Sequence, residues 1–246
     1  MRRFALFNIC LALFVITLGA LTRLLDAGLG CPDWPVCYGQ IIPQANQAAL
    51  DFGLWEFDSL KAWMEMTHRY VASFLGLSIL IQAIFIWPRY LGTVRWLALF
   101  LCGWVVLQGM FGMWTVTLQL WPQVVTAHLL AGVATFSLLW LLTLRLDDQR
   151  WKMSAEVMGR LTQTKPWIVG AIVIIGIQIL LGGWTSSNYA AFACLDFPTC
   201  QNQWWPEMDL KKGFNLLQST SPNYLGGVLE SDARVAIHVI HRLGAL

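Results

Sequence analysis

Four histidines, two pairs of cysteines and one carboxylate carry the chemical interest of this chain. The histidines are His68, His128, His238 and His241, and there are no others. Glu65 precedes His68 by three residues, a spacing that puts both on one helix face, and Arg69 follows directly. Neutral imidazoles from two helices can clamp a haem iron from both sides, with the porphyrin between the helices. A carboxylate beside such a group can move a proton or steady a developing positive charge. One histidine at a helix end is better read as an interfacial or hydrogen-bonded residue. Four of them, matched by an internal repeat, point to haem.

Elements must place those groups, and composition says of what kind. Of 246 residues 57% are hydrophobic and 12% charged, against about a quarter charged in a soluble domain. Mean hydropathy is +0.57. This predicts an all-α polytopic membrane protein. The formal net charge of +2, with no basic patch interleaved with aromatics, speaks against nucleic acid. Trp87, Trp114, Trp121, Trp167 and Trp184 end apolar runs, as interfacial tryptophans do.

The apolar runs are Phe4–Leu21, His68–Trp87, Trp96–Leu118, Val124–Leu144 and Trp167–Trp184, each near the ~20 residues needed to cross a bilayer. Met1-Arg2-Arg3 before the first run also suits a signal peptide. No small-x-small cleavage site follows, so the run is read as a retained helix. A sixth run starts near Ala233 and reaches Leu246 in about 14 residues, too few to span; the expectation is a fragment or an incomplete last helix. Lys and Arg concentrate at the amino terminus, in 88–95 and in 145–166, and eleven of the fourteen acidic residues lie in 22–67 and 185–232. By the positive-inside rule the amino terminus is cytoplasmic and the two long segments are outside, where disulfides persist.

A displacement of 163 residues aligns Thr22, Cys31, Asp33, Pro35, Cys37 and Pro43 with Thr185, Cys194, Asp196, Pro198, Cys200 and Pro206. With ten more residues in the second segment, His68-Arg69 matches His241-Arg242. The chain therefore reads as a tandem repeat. Residues 1–144 form a first four-helix half, 145–166 a basic linker, and 167–246 a second half. The halves should be parallel and related about the membrane normal. Gln108–Thr115 and Gln178–Thr185 share Gln-x3-Gly-x-Trp-Thr, a sign of kinship between individual helices. Helices two, four and six all start outside, which brings the four histidines to the outer part of the bundle. Where the first half has Glu65 the second has His238, so the first half is assigned the reaction and the second a permanent haem. The alternative for Glu65 is a surface pair with Arg69. Arg69, Arg242 and Arg23 suit haem propionates, or snorkel at the interface. Each Cys pair encloses five residues, which suits a local clip better than redox chemistry or zinc. Cys10 and Cys102 read as packing residues.

Ala27 to Gln40 with its two cysteines, Glu65-x2-His68-Arg69, His128 and His238-x2-His241-Arg242-Leu243-Gly244 resemble haem A synthase, the Cox15/CtaA type of cytochrome oxidase assembly protein. The second Cys segment, with Trp204-Trp205-Pro206, is similar to the proteobacterial branch. The resemblance covers the whole chain. It implies eight helices in two four-helix halves, of which about five and a half are present here. It also implies oxidation of the C8 methyl of haem O to the formyl of haem A by two hydroxylations and loss of water. Carried over, Glu65 is the catalytic acid and His68 and His128 serve the substrate haem. His241 ligates haem b, with its partner on an eighth helix beyond Leu246. His238, Arg69 and Arg242 are assigned to cofactor binding, and Cys31, Cys37, Cys194 and Cys200 to disulfides. Implied partners are haem O, delivered by a haem O synthase, a membrane electron donor, lipid and a second copy of the chain. A bis-His di-haem electron carrier is the main alternative, and a transporter with parallel repeats the third.

Overall fold

A computed structural model describes residues 1–44, 58–147, 154–220 and 223–246. Asp51 and Glu56 of the first long segment and Arg150 and Lys152 of the basic linker lie outside the described residues. All regular structure among the described residues is helical apart from two isolated bridges. The helices are α1 (Arg2–Leu24), α2 (Ser59–Ile86), α3 (Thr93–Thr117), α4 (Pro122–Arg145), α5 (Ala155–Ser187), α6 (Leu210–Gly213) and α7 (Ser231–Gly244). Five of them, α1 to α5, are long and apolar enough to cross a membrane. The protein is an all-α polytopic membrane protein.

Two helices begin well before their apolar runs. α2 starts at Ser59, where the Asp58 side chain accepts from the Lys61 N–H at 3.1 Å and caps the end. His68 is therefore more than two turns inside the helix and does not open it. α5 starts at Ala155, capped by Ser154, and runs through Pro166 to Ser187; most of the stretch read as linker is helix. Both extensions are polar, and a hydropathy boundary marks where lipid begins, not where hydrogen bonding begins. α4 has Pro122 in its first turn, where a missing N–H is harmless.

The chain divides into two compact units, Met1–Asp147 with Thr220–Leu225, and Asp148–Ser219 with Gly226–Leu246. In the first, α1 packs on α2, α2 on α3, α3 on α4 and α4 on α1, so that α2 and α4 are diagonal. Ala5, Ile9 and Ala12 of α1 meet Leu75, Ile79 and Ala83 of α2, Leu101 of α3 and Leu139 and Leu142 of α4. The small residues let the helix axes approach, as membrane bundles require. Three buried polar side chains cross this core: Asn8 donates to Gln82 at 2.6 Å and accepts from Ser78 at 2.6 Å. In the second unit α7 packs on both α5 and α6. The large apolar side chains of α5 from Trp167 to Leu180 are exposed except for the half-buried Ile179, and only its last turns are buried.

Candidate functional site

The first loop is built downward from the end of α1 onto α2. Asp26, at φ +52°, turns the chain, and the Ala27 N–H reaches back to Thr22 O at 2.9 Å. A disulfide joins Cys31 and Cys37 with Cα atoms 4.8 Å apart. The Asp33 carboxylate accepts from the N–H groups of Tyr38 (2.7 Å) and Gly39 (2.8 Å) and shapes the turn. Gly30 lies so close to α2 that a side chain there would come within 2.5 Å of the Lys61 backbone. That approach carries the Cys31 N–H to Glu65 Oε2, 2.9 Å away. Glu65 Oε1 accepts from Arg69 Nη2, and Arg69 Nη1 donates to the carbonyls of Asp33 and Val36, both at 2.9 Å. Glu65 is only 4% exposed. It does pair with Arg69, but in a buried, charge-assisted network and not at the surface.

The second unit repeats this construction. Cys194 and Cys200 are bonded, with Cα atoms 4.7 Å apart. Tyr189 turns the chain at φ +54°, and Ala190 N reaches Thr185 O at 2.9 Å. Asp196 accepts from Gln201 N (2.7 Å) and Asn202 N (3.0 Å). Arg242 Nη1 donates to the carbonyls of Asp196 (2.7 Å) and Thr199 (2.9 Å), and Nη2 to that of Cys194 (2.8 Å). In Glu65's place the His238 ring sits between two donors, with Nδ1 3.3 Å from the Cys194 nitrogen and Nε2 3.1 Å from Arg242 Nε, and it can accept from only one of them at a time. Trp34–Pro35 and Phe197–Pro198 are both cis.

Three imidazoles each face the nearest earlier membrane-crossing helix. His68 lies against α1 at Gly19, His128 against α3 at Gly112 and His241 against α5 at Gly182. Gln108 donates to the His128 carbonyl at 3.0 Å. Gln178 donates to the His241 carbonyl at 2.9 Å and sits 3.0 Å from its Nδ1. His68 and His128 lie on the diagonal helices α2 and α4. The Nδ1 atoms of both are buried without a hydrogen-bond partner among the described residues. Each ring also hydrogen-bonds a backbone group, Val15 for His68 and Gln108 for His128, and a buried imidazole held on one side with one nitrogen uncommitted fits the demand of a haem iron for a neutral nitrogen donor. No three His, Cys, Asp or Glu side chains among the described residues converge on a bare metal ion, whereas haem asks only for the axial pair.

The structure thus brings Glu65, Arg69, Cys31 and Cys37 into one network, with His68 a turn along the same helix. It joins His238, Arg242, Cys194 and Cys200 in a second. The propionate role expected of Arg69 and Arg242 meets a different occupation: most of their donors hold loop carbonyls. Arg23 lies 3.5 Å from Asp26. His238, expected at the cofactor, holds the second loop, whereas His241 turns to α5 with Gln178 at its Nδ1. Gln108, Gln178 and the three glycines escape a search for ionisable groups. The Gln-x3-Gly-x-Trp-Thr echo holds both glutamines, Gly112 and Gly182, and Gly19 lies outside it.

Buried histidines in a bundle of membrane-crossing helices, with two disulfide-closed loops, define a polytopic membrane protein with a histidine-bearing core. The sequence profile of the cytochrome oxidase assembly protein family COX15-CtaA matches residues 2–246, and the chain belongs to that family. It is similar to the haem A synthase of Shewanella oneidensis, 44% identical over 95% of this chain and 71% of that protein. The haem A synthase of Bacillus licheniformis is 27% identical over 79% of this chain, and that of Geobacillus thermodenitrificans 30% over 76%. The chain spans 62% and 56% of those two proteins.

Proposed function

We propose that this protein is an oxidoreductase of haem A synthesis, converting the C8 methyl of haem O to a formyl group for cytochrome oxidase. The reading rests on one asymmetry: in two otherwise matched sockets the first holds a carboxylate, Glu65, and the second an imidazole, His238. A buried carboxylate one turn from an imidazole is the arrangement suited to acid–base work at a substrate. His68 and His128 would hold the substrate haem between α2 and α4. His241 would serve a resident haem b, which supplies electron transfer when bound. Glu65 would take or give the proton at the reacting methyl, while Arg69 and the Cys31 N–H fix its two oxygens. The basic amino terminus and the linker between the two halves, 1–144 and 167–246, favour an inner-membrane protein with both Cys loops in the periplasm. A haem O synthase, a membrane electron donor and a second copy of the chain are the partners this reading proposes.

The test is extraction and chromatography of haem from cells that make the protein together with a haem O source. Haem A should accumulate. Glu65→Gln should abolish conversion while haem stays bound to the purified protein. A di-haem electron carrier would yield no haem A and would be indifferent to the substitution.

A further inference from the structure

We infer that Gly19, Gly112 and Gly182 are positioning residues that set the ring planes of His68, His128 and His241. The inference rests on the reading of those imidazoles as haem ligands. A Cβ built at Gly19 would lie 3.0 Å from His68 Cε1; at Gly182, 3.3 Å from His241 Cε1; at Gly112, 3.4 Å from His128 Cε1. In each case the approached atom is the carbon between the two ring nitrogens. An imidazole turns about its Cβ–Cγ bond with a broad preference, so the wall beside Cε1 decides the angle at which its nitrogens face the iron.

Three independent instances share one register, which makes coincidence a poor account. The glycine is followed three residues later by Thr22, Thr115 or Thr185. Seven residues after the glycine stands a residue in the left-handed region: Asp26 (φ +52°), Gln119 (φ +49°) or Tyr189 (φ +54°). The next N–H then returns to the threonine carbonyl, Ala27 to Thr22 at 2.9 Å, Leu120 to Thr115 at 2.8 Å and Ala190 to Thr185 at 2.9 Å. These are Schellman-type helix ends. Each closes a helix at a fixed distance beyond the surface on which an imidazole rests. The structural unit repeated here is thus a helix pair, one helix carrying the glycine and the other the histidine, and it occurs in α1–α2, α3–α4 and α5–α7. In α3 and α5 a glutamine four residues before the glycine ties down the histidine's own carbonyl, fixing the height of the ring as the glycine fixes its plane. In α1 that position is Val15, whose side chain cannot reach the His68 carbonyl but whose backbone carbonyl hydrogen-bonds the His68 ring, as that of Gln108 does the His128 ring.

Gly19→Ala, Gly182→Ala and Gly112→Ala in the full chain, purified with bound haem, test this beside Gly103→Ala and Gly109→Ala. The latter two glycines have no atom within 4 Å of a built Cβ, so they report what alanine does to α3 itself. The readouts are haem per protein and the highest g value of the low-spin ferric signal, which depends on the angle between axial ring planes. The expected result is a shifted g value ordered Gly19 > Gly182 > Gly112, with both controls at the wild-type value. Should Gly19→Ala fail to accumulate, the Gly182 and Gly112 variants decide alone. An unchanged signal in all cradle variants, or equal changes in the controls, overturns the inference. Wild-type protein with no low-spin haem signal instead overturns the haem reading beneath it.

Discussion

The two disulfide loops share a backbone plan and differ in the group at the centre. Around Glu65 two donors, the Cys31 N–H and the Arg69 guanidinium, meet two oxygens that are both acceptors. Around His238 two donors, the Cys194 N–H and the Arg242 Nε–H, meet two ring nitrogens. A neutral imidazole must keep a proton on one of them and can accept at only one. The socket is therefore matched to a carboxylate in the first unit, whereas in the second the imidazole accepts at one nitrogen and has the Ala190 carbonyl as a partner for its N–H. The lesson is that the loop architecture does not require the acid. Its presence in one half only is what singles that half out for proton chemistry.

Removing the arginine breaks the comparison most sharply. Arg69→Met strands a carboxylate that is 4% exposed, and breaking one side of a buried ion pair costs about 3–5 kcal/mol. Arg242→Met strands no charge. It loses hydrogen bonds to the carbonyls of Cys194, Asp196 and Thr199 and should cost about 1–3 kcal/mol. Hydrogen exchange of each loop, converted to a local opening free energy, should rank the first variant well above the second. Equal costs would mean that Glu65 is not held as a carboxylate.

The disulfides should be the part in which the halves agree. Each closes a loop with a sequence separation of 6, so the double Cys→Ser variant of either pair should lose about 2 kcal/mol on the chain-entropy estimate. Thermal unfolding of the two variants should then fall together. A much larger loss in the first loop would show that Cys31 matters through its N–H to Glu65 more than through its sulfur.

These contrasts also mark what the sequence could disclose. Cysteine spacing, the 163-residue displacement and the paired His-Arg steps exposed the repeat, because identical residues at a fixed offset survive without any knowledge of contacts. The start of α2 was hidden, because Asp58 to Thr67 contains Lys61 and Glu65 and reads as loop to a hydropathy window. Those charges are tolerated because the Cys loop, not lipid, covers them. The arginines were assigned by charge to propionates. A guanidinium has five donors and no preference between a carboxylate and a row of carbonyls until the loop is seen folded over it. The glycines were invisible because the absence of a side chain carries no chemistry until its neighbour is known.

His238→Glu should sharpen the comparison from the other side. It supplies acceptors to both the Cys194 N–H and Arg242 but gives up the ring's hydrogen bond to the Ala190 carbonyl, so the net gain should be no more than about 1 kcal/mol. Local opening of residues 194–203 by hydrogen exchange reads this directly. A loss of stability would show that the second socket has relaxed around the ring and is no longer matched to a carboxylate.

The smallest difference lies at the loop tips. Thr199 donates its hydroxyl to Asp196, whereas the corresponding residue of the first loop is Val36. That hydroxyl, with the N–H groups of Asn202 and Gln201, holds the Asp196 carboxyl down at about 2, against an ordinary 3.8. A carboxyl lowered by folding contributes stability above its ordinary value and loses it as pH falls toward the folded value. The second loop should therefore keep its amide protection as pH drops below the ordinary carboxylate range and release it near pH 2. Thr199→Val removes the largest contributor and should move that release upward in pH. Hydrogen exchange at the Gln201 and Asn202 amides across this acid range, with the Tyr38 and Gly39 amides of the first loop as internal reference, measures the shift. An unmoved midpoint would assign the lowered pKa to the backbone donors alone. The loop tips of the two halves would then be equivalent, leaving the carboxylate–imidazole exchange as their chief chemical difference.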